Sequence, residues 1–204
     1  MYAVGLTGNI ASGKSSVARA WTELGGFVVD ADQLARNAVE PGTPGQRAVL
    51  AEWGGRVAAP GGGIDRAALR DIVFHDAEAR RRLEQIVHPE VRRLREQAFR
   101  SAAGRGENVA VADIPLLFEA GMEPEFDLVV LVDAPAPERK RRLVELRGLD
   151  PDEASRMIAS QAPAAEKRAR ADLVIDNHGT LTELERRAVG VWREIERRAG
   201  ESAP

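Results

Sequence analysis

The chain has 204 residues, 44% hydrophobic and 30% charged, with a net charge of -3 and no cysteine. That length suits one sizeable α/β domain with a small insertion. The lack of cysteine excludes disulfides, thiolate metal sites and cysteine nucleophiles, and the slightly acidic balance argues against nucleic acid as a partner.

Tyr2 to Leu6 is short and mostly apolar and predicts a buried strand. Gly8-Asn9-Ile10-Ala11-Ser12-Gly13-Lys14-Ser15 then fits G-x-x-x-x-G-K-[ST] at every fixed position, and Ser16 to Trp21 predicts the first turns of a helix. Strand, glycine-rich loop and helix is the context in which this motif binds phosphate. The glycines let successive N–H groups converge at a helix N-terminus, where unpaired donors and the helix dipole favour an anion. Gly8, Ala11, Ser12, Gly13, Lys14, Ser15 and Ser16 are therefore the candidate ATP-binding residues, with Lys14 reaching the β- and γ-phosphates and Ser15 ligating Mg²⁺. Lysine is scarce, at positions 14, 140 and 167 only, so its presence in the loop is not a matter of composition.

Phe27 to Asp30 predicts a second strand, with a helix from near Leu34, a turn cluster at 41–45 and a short helix from Gln46 to Trp53. Asp65 is a candidate N-cap for a helical stretch reaching about Ala103, which His88-Pro89 is expected to interrupt, with a new helix from Pro89. Nearly forty residues without a strand read as a helical insertion. Sheet pattern returns at 108–113, 128–133 and 173–176, each run apolar on consecutive residues, as in strands buried on both faces. Helices between these runs make the sheet parallel, so the expected fold is α/β, a doubly wound five-stranded parallel sheet. Residues 137–163 read as helical and very basic, a final helix is expected from Leu181 to Arg198, and 200–204 reads as a frayed tail. No apolar run is long enough to span a membrane and no signal peptide is visible, so a cytoplasmic protein without a membrane partner is expected, as a monomer or weak homo-oligomer.

Ligands of open parallel sheets bind beyond the carboxyl ends of the strands. Asp30, Asp113, Asp133 and Asp176 all end predicted strands. Asp113 is either the second Mg²⁺ anchor beside Ser15 or an N-cap for the segment that follows. Asp30 and Asp32 are candidates to orient a hydroxyl acceptor and take its proton, with helix capping as the alternative. Among the basic residues 139–147, helical spacing puts Arg139 and Arg142 on one face and Arg141 on another. An arginine from a closing lid would stabilise the charge on a transferring phosphoryl group. His75, His88 and His178 have no metal-ligand spacing.

The loop, together with Val29-Asp30-Ala31-Asp32, Ile86-Val87-His88-Pro89, Asp113-Ile114-Pro115-Leu116-Leu117-Phe118-Glu119, Arg156 to Gln161 and Ala171 to Asn177, resembles the dephospho-CoA kinase family over nearly the whole chain. The resemblance implies a P-loop NTPase fold similar to nucleoside monophosphate kinases. The core would be 1–45 and 105–204, with an acceptor-binding helical insertion at 60–104 and a lid at 136–165. It implies phosphorylation by ATP of the ribose 3′-hydroxyl of dephospho-CoA, giving CoA and ADP. It makes Asp32 the base or orienting group, with Asp30 beside it. Lys14 and the loop hold ATP. Arg142 is the lid arginine and Arg147 a second, while His88, Leu116 and Phe118 shape the acceptor pocket. Asn9 and Arg139 depart from the family pattern, and no lid role is carried over to Arg139. Three rival readings compete with it: another small-molecule kinase of this architecture, a GTPase-type switch and a nucleic-acid binder. The guanine-reading Asn/Thr-Lys-x-Asp motif is absent, and aromatics are only 4%, too few for a base-stacking surface.

Overall fold

The structure is a computed structural model that describes residues 1–202. β1 (Tyr2–Gly8) leads through the glycine-rich loop into α1 (Lys14–Glu23), followed by β2 (Phe27–Asp30), α2 (Ala31–Ala38), α3 (Pro44–Trp53), α4 (Arg66–His75) and α5 (Ala77–Gly104). Then come β3 (Val109–Asp113), β4 (Leu128–Asp133), α6 (Ala136–Arg147), α7 (Pro151–Ala159), α8 (Ala164–Arg170), β5 (Leu173–Asp176) and α9 (Leu181–Glu201). The strand order is β2-β3-β1-β4-β5. β1 lies in parallel between β3 and β4, with Leu6 opposite Asp113 and Gly8 opposite Val132, and β4 pairs with β5 so that Asp133 faces Asp176. This is the expected doubly wound α/β sheet.

The chain forms two compact units. One comprises Met1–Val28 and the chain from Ala102 onward; the other is Val29–Ser101. In the first, β3 is buried at every position and β4 at all but its last, which is why neither alternates. Val17 and Trp21 of α1 and Leu184, Ala188, Trp192 and Ile195 of α9 cover the same core as Val4, Leu6, Val111, Val130 and Ile175. Trp21 is fully buried, its ring 5.6 Å from that of Trp192, and its indole N–H donates to Ala188 O at 2.9 Å. Burying such a side chain contributes roughly 2–3 kcal/mol.

The second unit has its own core of Val49, Trp53, Val57, Leu69 and Ala79, backed by Ile72, Leu83 and Ile86. Its helices start where side chains can satisfy their first amides. Thr43 accepts from Gln46 N, and Asp65, the predicted cap, accepts from Ala67 N and Ala68 N.

Four expectations need correction. α2 starts at Ala31 rather than near Leu34, because Asp30 caps it. α5 does not break at His88-Pro89 but runs through Pro89 for 28 residues. Gln85, whose carbonyl loses its i+4 donor to the proline, is exposed along with His88 and Pro89, so water can take the place of the missing bond. The basic stretch is two helices, α6 and α7, parted by a turn at Gly148 (φ 67°), with the unexpected α8 after Pro163. α9 continues through Gly200 to Glu201, while the rest of the expected tail, 203–204, lies outside the described residues. Among the described residues no helix is long and apolar enough to cross a membrane.

Candidate active site

The loop after β1 is shaped by contacts that leave no room for side chains at its glycines. A Cβ on Gly8 would lie 2.5 Å from Ser12 Oγ and 2.7 Å from Val132 O. Gly13 has φ 99°, and a Cβ there would meet Asn177 Nδ2 at 2.3 Å. Between them Ala11 has φ 58°, the one non-glycine residue of positive φ among those described. Ser12 N donates back to Asn9 O at 3.0 Å, closing the turn. α1 then begins at Lys14 with no side-chain cap, because Gly13 has none to offer. Ser16 N, the third amide of the helix, already donates to Gly13 O at 3.0 Å, but those of Lys14 and Ser15 have no intrahelical carbonyl to donate to, the arrangement that receives an anion. Asn9 Oδ1 and Ser12 Oγ are buried polar atoms without a hydrogen-bond partner, in keeping with a cradle built for a polar guest.

Lys14 and Asp113 form an ion pair, their side chains only 15% and 11% exposed. The sheet creates it, since Asp113 ends β3 beside β1. Ser15, in the first turn of α1, is exposed. A hydroxyl and a carboxylate suit Mg²⁺, which keeps most of its waters and takes its other oxygens from phosphate. No cluster of three His, Cys, Asp or Glu side chains able to enclose a metal occurs among the described residues.

Three side chains from the far end of the chain hold the loop from outside. Arg142 Nη1 donates to Ala11 O at 3.1 Å and Ser12 O at 3.4 Å, and its Nη2 to Asn177 O at 3.3 Å. Asn177 Nδ2 donates to Ser12 O at 2.7 Å, while its own N–H is tied to Asp133 O. Gln161 Oε1 accepts from Ile10 N at 2.8 Å. The sequence alone marks neither Gln161 nor Asn177 as a site residue. Both lie in segments that carry the family resemblance, but nothing local marks a carboxamide as the partner of a peptide group more than 150 residues away.

The remaining predicted residues divide. Asp30 Oδ1 accepts from Asp32 N at 2.8 Å and Gln33 N at 3.2 Å, so Asp30 carries the capping role. Asp32 sits exposed in the first turn of α2, relieved of that duty. His88 is exposed on α5. Leu116 is 51% exposed, whereas Phe118 is buried, with the Arg170 guanidinium over its ring at 5.1 Å. Arg147 is exposed at the end of α6. Arg139 does not act with Arg142: it is buried, its Nε donates to Ala134 O at 3.1 Å, and burial pushes its pKa down against the pull of Asp133. Arg141 pairs with Glu138 and Glu145 on the opposite face. Asp133 and Asp176 share Arg168, at 2.9 and 2.7 Å, which leaves Asp113 as the strand-end carboxylate at the lysine.

Residues 2–183 match the profile of the dephospho-CoA kinase family. A dephospho-CoA kinase of Frankia casuarinae is 48% identical over 195 residues, covering 96% of this chain and 84% of that one. Among solved structures, one of a Thermus thermophilus protein superposes with a TM-score of 0.77 at 39% identity, covering 95% of this chain and 97% of that one. A dephospho-CoA kinase from Campylobacter jejuni superposes with a TM-score of 0.73 at 25% identity, covering 96% and 97%.

Proposed function

The chain belongs to the dephospho-CoA kinase family, and we propose from that premise how its residues share the work. The enzyme transfers the γ-phosphoryl group of ATP to the ribose 3′-hydroxyl of dephospho-CoA, giving CoA and ADP, the last step of CoA biosynthesis. The observation that carries the reading is the uncapped start of α1 beneath a complete phosphate loop, with Lys14 held at Asp113.

In our reading the amides of Ala11, Gly13, Lys14 and Ser15 bind the β- and γ-phosphates, and Lys14 leaves Asp113 for the phosphate oxygens as they enter. Ser15 and Asp113 would hold Mg²⁺, which offsets phosphate charge when bound. Asp32 orients the 3′-hydroxyl and takes its proton as oxygen bonds to the γ-phosphorus; the bond to the β–γ bridging oxygen breaks and ADP leaves. Arg142, with Arg147 further along α6, meets charge on the transferring group, so the α6–α7 hairpin (136–165) serves as a lid. His88, among the helices of 60–104, and Leu116 and Phe118 are each assigned to binding the acceptor. Charge assists this division, since α6 carries five cations (Arg139, Lys140, Arg141, Arg142, Arg147) against two carboxylates (Glu138, Glu145) and the substrate is a polyanion.

Purified chain supplied with ATP, Mg²⁺ and dephospho-CoA is expected to release ADP and CoA in a coupled assay. Silence on dephospho-CoA alongside fast turnover of a nucleoside monophosphate would overturn the reading.

A further inference from the structure

Gln161 lies just beyond the end of α7, yet its carboxamide oxygen is bonded to the amide of Ile10 inside the phosphate loop. The next residue, Ala11, has φ 58°, a conformation an L-residue keeps only where its surroundings over-determine it. Those surroundings can be named. The 9–10 peptide is held through its N–H by Gln161. The 11–12 peptide is held at both ends, its carbonyl by Arg142 and its N–H by Asn9 O. The peptide between them, 10–11, has no bond of its own among those described, so its plane, and the aim of the Ala11 N–H, follow from its clamped neighbours.

We infer that Gln161 is a positioning residue for the nucleotide: it turns the Ile10 amide outward and so fixes the Ala11 amide toward the cradle. It does so from the same hairpin that carries Arg142. A neutral acceptor is the chemistry this position needs. A carboxylate would make the same hydrogen bond but place a negative charge beside a site for phosphate. The inference rests on the nucleotide-binding reading of the loop.

The test compares ATP affinity by calorimetry, steady-state kinetics and thermal midpoint in the full chain and two variants. Gln161→Met keeps the length and loses the acceptor. It is expected to weaken ATP about tenfold, leaving KM for dephospho-CoA within twofold and the nucleotide-free thermal midpoint close to that of the unaltered chain. Gln161→Glu keeps the acceptor and adds charge. It is expected to fold normally and to weaken ATP most at low ionic strength, recovering as salt is raised. ATP affinity unchanged in Gln161→Met overturns the inference. So does a lowered midpoint with both KM values raised alike, which marks a purely structural side chain. Should Gln161→Met not fold, Gln161→Glu decides: ATP binding indifferent to the new charge at every ionic strength overturns the inference, and salt-sensitive weakening supports it. Failure of the unaltered chain to bind ATP would instead remove the nucleotide reading itself.

Discussion

The Lys14 ammonium rests against the Asp113 carboxylate at the carboxyl end of the sheet, with both side chains mostly shielded from water. Each offsets the other's charge. Lys14→Met strips the aspartate of its cation in a low-dielectric setting, and a stability loss of about 1–3 kcal/mol is expected in urea unfolding. The same change should lower kcat/KM by about 10²–10³-fold, the scale on which one preorganised charge acts in phosphoryl transfer. A rate loss under tenfold would mean that Lys14 serves the fold alone.

Asp113→Asn tests the metal role separately. It keeps the shape and removes the charge, so the Mg²⁺ concentration giving half-maximal rate is expected to rise about tenfold or more. Titrating Mg²⁺ at saturating ATP reads this directly. An unchanged Mg²⁺ requirement would confine Asp113 to holding Lys14.

The two aspartates after β2 are separable because the helix uses only one as its cap. Asp30→Ala removes the cap of α2 and is expected to cost about 1 kcal/mol of stability, while Asp30→Asn, an equally good cap, costs little. Asp32→Asn should leave stability within about 0.5 kcal/mol and lower turnover by about 10²–10⁴-fold with ATP affinity intact. Steady-state kinetics and ATP calorimetry on the three variants decide which carboxylate serves the acceptor. Equal losses from Asp30→Asn and Asp32→Asn would place the function on neither alone.

Arg142 and Arg141 are neighbours in sequence with opposite surroundings. Arg142 touches the loop carbonyls, whereas Arg141 makes exposed pairs with Glu138 and Glu145. Arg142→Ala is expected to lower kcat/KM by about 10²-fold or more, and Arg141→Ala to leave the thermal midpoint and the rates near those of the unaltered chain. Similar kinetic losses from both would reduce α6 to a diffuse basic surface.

Acid should loosen α9 in a defined window. Hydrogen bonds from Arg197, then Arg198, hold the Glu194 carboxyl down to about 2 from its ordinary 4.5. A carboxylate of lowered folded pKa contributes stability in full above its unfolded value and loses it as pH falls through the folded one. Glu194→Gln is therefore expected to separate from the unaltered chain above about pH 4.5 and converge with it near pH 2. Thermal midpoints across that range, at low salt, check the sign; a gap that widens on acidification would contradict it.

The sheet and the phosphate loop were legible because their signals are local. Five runs of consecutive apolar residues each became a strand, and the loop pattern stands within eight adjacent residues. The start of α2 is ambiguous in the sequence because both Asp30 and Asp32 look like caps, and the choice between them depends on backbone geometry. Pro89 reads as a break from its own stereochemistry, but Leu83 and Ile86 before it are packed on a core and Phe99 and Ala102 after it are buried, and the helix continues through it. The grip of Gln161 and Asn177 on the loop was invisible for a different reason: it joins a side chain to a peptide group across most of the chain, and no periodicity encodes that.

Because the α6–α7 hairpin is fastened to the loop at two points, Arg142 and Gln161, it has an axle. What projects past that axle is a short lever: the last turn and a half of α6, ending at Arg147 and the Gly148 bend. Five residues of helix make an arm of about 7.5 Å. A tilt of roughly 20° about the axle carries the backbone at its tip about 2–3 Å, with the two fastenings still in place, and the long Arg147 side chain sweeps further still. On the proposed reading of this hairpin as a lid, a small rocking stroke with no detachment would be enough to bring the Arg147 side chain toward or away from a nucleotide in the loop.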